Sequence, residues 1–274
     1  MTARFNQTHP TPGPDLRPEF GLTAADYARH RAGFPAELVR RLQGHGIGLP
    51  GQRVLDLGTG TGSLARLFAR AGAGVTGVDR AGELLAQAAE LDVREGVRID
   101  YRRAAAEDTG LPGASYDVVT AGQCWHWFDA PRAVREIARL LRPGGHAVIA
   151  HFDMLPLPGN VVEATERLIR SLNPDWTLYG STGLYPRWLT DLATGGFTGI
   201  ETLSFDVEVV YTQEAWRGRM RASAGVGASL PPEGVAAFDA ELARILRDHF
   251  PDDPLRVPHR TWAVLAAAPG TERS

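Results

Sequence analysis

An α/β fold built on a doubly wound, parallel sheet is predicted by three features of the chain. Strand and helix signals alternate from residue 53 to residue 152, the first strand runs into a glycine-rich turn, VLDLGTGTGSL (Val54 to Leu64), and the second strand ends on Asp79. Alternation of this kind places helices on both faces of the sheet. At 274 residues, 43% of them hydrophobic, the chain can bury a sizeable core. The organisation expected is a flexible segment over 1–20, then one domain over 21–274, with its core at 50–152 and substrate-side elaborations at about 153–196 and 212–250.

The elements follow in order. Residues 20–46, FGLTAADYARHRAGFPAELVRRLQGHG, read as helix in two pieces broken near Gly33 and Pro35. The first strand is 53–58. A helix over 62–71 follows from the helical spacing of Leu64, Leu67, Phe68 and Ala71, with Gly72 placed to end it. Next come strand 74–79, helix 81–91, strand 97–104, strand 115–121 and a helix near 131–141 that carries Val134, Ile137, Ala138 and Leu141 on one face. RPGG at 142–145 stops that helix, and HAVIAHF supplies a buried fifth strand. Residues 160–172 read as helix. The segment 173–196 mixes Trp176, Tyr179, Tyr185 and Trp188 with prolines and glycines, which suits either a lid against substrate or a loop capping the core. GIETLSFDVEVVYT alternates as a long strand, helices follow near 212–223 and 233–248, and HRTWAVLAAA gives a last strand.

The glycine turn carries the first chemical argument. Glycines allow backbone amides to approach a ligand closely and to adopt angles closed to other residues. A dinucleotide fingerprint places a third glycine where this chain has Ser63 or, in the alternative register, Ala65. Asp56, two positions before Gly58, would repel a pyrophosphate and favour the ammonium group of an amino-acid ligand. That combination points to S-adenosyl-L-methionine, which leaves as S-adenosyl-L-homocysteine. Asp79, nineteen positions after Gly60, stands where a carboxylate accepts hydrogen bonds from ribose hydroxyls, a feature common to both cofactor classes.

Charge and composition set limits on partners. The net charge is −3 with no long basic block, so nucleic acid and anionic membranes are not expected, and no apolar run approaches the roughly 20 residues that span a bilayer. The single cysteine, Cys124, allows neither an internal disulfide nor a thiolate metal cluster; it reads as a small buried hydrophobe. With a polar, proline-rich N-terminal segment, these features give a cytoplasmic protein acting on a small molecule, as a monomer or homodimer.

LDLGTGTG with Asp79, then AAAEDTGLP, SYDVVTAGQCWHWFD and IARLLRPGGHAVI, resemble in order and spacing the class I S-adenosylmethionine-dependent methyltransferases of the small-molecule type 11 kind. The likeness spans about residues 20–152, and the His-Trp-Phe run at 126–128 is most similar to the trans-aconitate and ubiquinone/menaquinone methyltransferase-like members. The resemblance implies a Rossmann-like sheet of seven strands whose last strand is antiparallel and lies beside the sixth. It implies that Gly58, Thr59 and Gly60 cradle the methionine part of the cofactor. Asp79, with Arg80 beside it, would hold the ribose, Ala106 and Glu107 would border the adenine, and Gln123 would pass the sulfonium. Many relatives carry an aspartate just before that Ala-Glu pair, where this chain has Ala104 and Ala105. Upstream, Tyr27 and Arg31 match the family's tyrosine and arginine, where a guanidinium grips the methionine carboxylate; read alone, Arg31 is equally an exposed helical arginine.

Methyl transfer needs positioning and, for a protonated acceptor, a base. His126, just after the fourth strand, is the leading candidate, as a base or as a packing or cofactor contact; His151, at the end of the fifth strand, is the second. Trp127 and Tyr179 are candidates for substrate contact. The glycine turn and acidic strand end alone also fit an NAD(P)-dependent oxidoreductase, and the fold also fits a cofactor-binding protein that transfers no methyl.

Overall fold

The computed structural model describes residues 32–270. Two compact units are present: one holds Gly33–Asp153, Gly183–Val207 and the chain from Arg260 onward, and the other holds Ala32, Met154–Thr182 and Glu208–His259. In chain order the elements are α1 (Glu37–Gly44), β1 (Arg53–Leu57), α2 (Ser63–Arg70), β2 (Gly74–Asp79), α3 (Gly82–Glu95), β3 (Ile99–Arg103), β4 (Tyr116–Gly122), a 3-10 turn (Trp125–Trp127), α4 (Ala130–Leu140) and β5 (Leu141–Met154). There follow α5 (Val161–Leu172), α6 (Arg187–Thr194), β6 (Thr198–Tyr211), α7 (Gln213–Arg221), α8 (Pro232–His249) and β7 (Leu255–Ala267).

The seven strands form one sheet in the order β3-β2-β1-β4-β5-β7-β6, with the last strands antiparallel. The first five are parallel, with Leu57 opposite Val78 on one side and Ala121 on the other, and Ala121 opposite Ile149. The strand order reverses between β1 and β4, and the crevice outside the carboxyl ends of strands at such a point is where α/β sheets bind ligands. Val54, Leu55 and Leu57 of the central strand are fully buried, and Leu64, Ala65 and Phe68 of α2 bury the matching helical stripe. Each such valine, leucine or phenylalanine side chain contributes about 1.5–3 kcal/mol of apolar burial. The α4 helix starts cleanly because Asp129 accepts from the Arg132 amide and Pro131 occupies its first turn; Ala133, Val134, Ile137 and Leu140 then face the core. The buried guanidinium of Arg66 joins α2 to α3 through Asp92 at 3.1 Å, and also donates to the Thr61 carbonyl at 2.6 Å, so that it tethers the end of the glycine turn.

The second unit is organised around α5, α7 and α8. Trp216 is fully buried and donates its indole N–H to Thr165 Oγ1 at 3.2 Å, and Phe238, Leu242 and Leu246 complete the apolar cluster. Asn160 and Thr212 cap α5 and α7 by accepting from the Glu163 and Ala215 amides.

The structure departs from the sequence reading in three places. RPGG does not separate α4 from the fifth strand; β5 begins at Leu141 and takes those residues in, with a register shift between Tyr116 and Val118 that absorbs the proline and the positive φ of Gly144. The segment 173–196 contains α6, started at Pro186, which sits where a helix tolerates proline; its Trp188 and Leu192, one turn apart, are buried. The last strand begins at Leu255, four residues before the predicted start.

Candidate active site

The ends of β1 and β2 make one side of the crevice. After β1 the chain turns at Gly58, where φ is +61° and a Cβ would fall 2.8 Å from Cys124 Sγ and 3.0 Å from Phe128 Cζ, so glycine is required by both angle and space. At Gly60 φ is +55° and a Cβ would meet nothing within 4 Å, which leaves open room over the turn. The Gly60 amide donates to Asp79 Oδ2 at 2.8 Å and the Ala81 amide donates to Asp79 Oδ1 at 2.9 Å. An ionised carboxylate has about four acceptor sites, so Asp79 keeps capacity for further donors. Below the turn, Asp56 is 1% exposed and accepts from Thr120 Oγ1 at 2.6 Å. Burial pushes its carboxyl up to about 6, against the hydrogen bond of Thr120, and the charge of Asp79 adds to the rise.

Arg80 and Glu107 form an ion pair at 2.9 Å on the same side, and the second oxygen of Glu107 accepts from the Asp129 amide at 3.1 Å. Glu107 therefore clasps β2 to the start of α4. The side chain of Ala106 is buried in the core.

The ends of β4 and β5 make the other side. Gln123 takes a left-handed φ of +61°, uncommon for a side-chain-bearing residue; its amide N–H donates to Ala150 O at 2.9 Å and its side-chain amide to Phe152 O at 3.1 Å, so it fastens the two strand ends together. Cys124 Sγ reaches the Leu57 carbonyl at 3.1 Å. Trp125 is buried and donates to Asp191 of α6 at 2.9 Å. His126 lies 4.7 Å from the Trp127 ring and 5.7 Å from the His151 ring, centroid to centroid.

His151 is the best-supported titratable group here. Its Nδ1 lies 2.9 Å from Asp153 Oδ1 and 3.1 Å from Tyr185 Oη, and the Tyr185 hydroxyl donates to Asp153 Oδ2 in turn. Tyr185 stacks on Trp188 with ring centroids 4.2 Å apart, and Trp262 packs against both.

The sequence-derived candidates divide accordingly. Asp56, Gly58, Thr59, Gly60, Asp79, Arg80, Ala106 and Glu107 gather at the β1–β2 side, and Gln123, His126, Trp127 and His151 at the β4–β5 side. Tyr179 falls in the second unit, where Arg170 lies over its ring at 3.9 Å. Tyr27 and Arg31 lie outside the described residues. Asp153 went unrecognised from sequence, and Tyr185 was read as part of a lid or core-capping loop with no link to His151. For Asp153 a signal existed, because HFD at 151–153 puts His and Asp on the same face of a strand; for Tyr185, more than thirty residues away, none did.

Comparison with known proteins agrees with this geometry. Residues 55–149 match the methyltransferase domain family of type 11. The chain is 33% identical over 180 residues to a ubiquinone biosynthesis O-methyltransferase of Xanthomonas campestris, a match covering 65% of this chain and 73% of the relative. It is 36% identical over 141 residues to an uncharacterised methyltransferase of Mycobacterium tuberculosis, covering 48% of this chain and 51% of the relative, so it spans about half the length of that protein. A solved structure from Anaeromyxobacter dehalogenans, provisionally named a type II methyltransferase, superposes with a TM-score of 0.63 at 27% identity, covering 88% of this chain and 99% of that one. Among the described residues no helix is long and apolar enough to cross a membrane.

Proposed function

This chain belongs to the class I S-adenosylmethionine-dependent methyltransferases of type 11, and from that premise we propose that it transfers a methyl group from S-adenosylmethionine to an oxygen, nitrogen or carbon atom of a small metabolite. The observation that carries the reading is the open space over Gly60 together with the Asp79 carboxylate, which is fixed by two amides and still able to accept. A cradle without side chains beside a free acceptor fits an adenosine carrying an amino-acid tail. When bound, the cofactor supplies an electrophilic methyl carbon on a sulfonium, so the protein's part is to bind, align and exclude water.

In this reading Gly58, Thr59 and Gly60 give their backbone to the methionine part and Asp79 accepts from the ribose hydroxyls. Arg80 and the chain at Ala106 and Glu107 border the adenine. Asp56, ionised above about pH 6, favours the ammonium group from beneath the turn. Gln123 holds the strand ends that face the sulfonium, Trp127 lines the acceptor side, and Tyr27 and Arg31 are assigned to the methionine carboxylate. The chain from 21 to 274 works as one cytoplasmic methyltransferase domain, alone or as a homodimer.

Calorimetric titration with S-adenosylhomocysteine and, separately, with NADH tests the cofactor assignment. Binding of S-adenosylhomocysteine in the micromolar range and none of NADH is the expected result; the reverse would exclude a methyltransferase. Passage of labelled methyl to an acceptor then separates transfer from mere cofactor binding.

A further inference from the structure

We propose that His151 is the general base of the reaction, set in one tautomer by Asp153 and Tyr185, and that the acceptor is a hydroxyl, phenolic or alcoholic, which must lose a proton to react, and not a carboxylate. This rests on the methyltransferase reading and adds to it the class of the acceptor.

The tautomer follows from donor counting. An ionised carboxylate only accepts hydrogen bonds, so the 2.9 Å contact of His151 Nδ1 with Asp153 Oδ1 requires the proton on Nδ1. The Tyr185 hydroxyl gives its one proton to the other oxygen, Asp153 Oδ2, and so cannot protonate Nδ1. In the neutral ring the lone pair then sits on Nε2, which has no hydrogen bond from the described residues. A carboxylate behind Nδ1 also stabilises the imidazolium once Nε2 takes a proton. Among the described residues, the charged and titratable groups facing the ring are Asp153 on its own strand, Tyr185 from the segment before α6 and His126 from the turn after β4; Trp188 closes the apolar side at 5.7 Å.

Such a base has work only if the nucleophile must lose a proton. Carboxylates are already ionised at neutral pH, whereas a phenol ionises near pH 10, like tyrosine. The acceptor O–H bond breaks and an N–H bond forms at Nε2. The oxygen pair makes the new bond to the methyl carbon, and the pair of the broken carbon–sulfur bond stays on sulfur. His151 is the catalytic residue; Asp153 and Tyr185 are positioning residues.

The test uses the full chain with S-adenosylmethionine and a panel of phenols, catechols, alcohols, benzoates and tertiary amines, read by mass spectrometry for methylated product and by calorimetry for S-adenosylhomocysteine affinity. Hydroxyl acceptors are expected to turn over, and benzoates are not. His151→Gln is expected to lower kcat about 10²–10⁴-fold on phenol, far less on 4-nitrophenol, which is largely ionised at about pH 8, and to leave S-adenosylhomocysteine affinity within about twofold. Nitrogen NMR of the histidine-labelled protein should show an Nδ1–H, Nε2-lone-pair ring for His151. Asp153→Asn should weaken that preference and lower kcat about tenfold or more, with Asp153→Glu restoring part of both. Methylation confined to carboxylates or tertiary amines, an equal loss on ionised and un-ionised phenols, or an Nε2–H ring would overturn the proposal while leaving the methyltransferase reading intact. If S-adenosylhomocysteine fails to bind, that reading itself falls. If the cofactor binds and nothing in the panel reacts, the NMR tautomer decides.

Discussion

On the β1–β2 side of the crevice, the candidate site is built on backbone amides, short side chains and one fixed carboxylate, all carried between Asp56 and Arg80. On the β4–β5 side it rests on rings and titratable groups that arrive from the turn after β4, the end of β5, the approach to α6 and strand β7. The first side is local and rigid: Asp79 ties down Gly60, Arg66 ties down Thr61, and Thr120 props Asp56 from the neighbouring strand. The second is assembled by tertiary packing, with Tyr185 held against Trp188 and Trp262 so that its hydroxyl meets Asp153. A cofactor common to many reactions suits the first construction. An acceptor particular to one reaction suits the second, since each contributing segment varies independently.

Gly58 is where the two sides touch, and substitution there should have the largest effect on the comparison. Gly58→Ala adds a methyl against Cys124 and Phe128 at a left-handed position, and we expect a loss of about 2–4 kcal/mol in stability by urea unfolding. A change below about 1 kcal/mol would show that the sides are mechanically separate. Next in size, Asp79→Ala should weaken S-adenosylhomocysteine binding about 10–100-fold by calorimetry, since hydrogen bonds to a charged group contribute about 1.5–3 kcal/mol. Equal weakening by His151→Gln would blur the division of labour between the sides.

A smaller effect is expected from pH. The folded pKa of Asp56 is raised from 3.8 to about 6, so between those values the folded state binds more protons than the unfolded one and stability falls as pH rises, levelling above about 6. Asp56→Asn should remove that part of the pH dependence, roughly 1–3 kcal/mol across the window, in urea titrations at a series of pH values. A wild-type curve flat from pH 4 to 6 would contradict the buried, desolvated carboxylate. Smallest, Tyr179→Ala should cost about 0.5–1 kcal/mol through loss of its contact with Arg170 and leave S-adenosylhomocysteine affinity unchanged.

The same contrast explains what could be read in the sequence. Asp56, Gly58, Gly60 and Asp79 were legible because strand, turn, helix and strand end follow each other at spacings that the backbone imposes, and the alternation of strands and helices gave the sheet directly. Glu107 stood out in the sequence as a candidate, but its bonds to Arg80 and to the Asp129 amide depend on how α4 docks, which no spacing encodes. RPGG looked like a break because proline and glycine usually are one; the partner strand absorbs them by a shift of register. Tyr185 and α6 were hidden among glycines and prolines, since their place is fixed by aromatic packing against residues nearly eighty positions onward. His151 and Asp153 lie on one face of β5, a pattern visible in the sequence whose meaning appears only when Tyr185 joins them.

Gln123 accepts a left-handed backbone that glycine would adopt at lower cost, by about 1 kcal/mol, and in return its side-chain amide holds the Phe152 carbonyl, one residue beyond His151. Glycine at this position would give a more relaxed chain with a looser end to β5. Selection acting on stability alone would drift toward glycine here; selection acting on alignment of the neighbouring imidazole would retain glutamine, so this position gauges which pressure has shaped the protein.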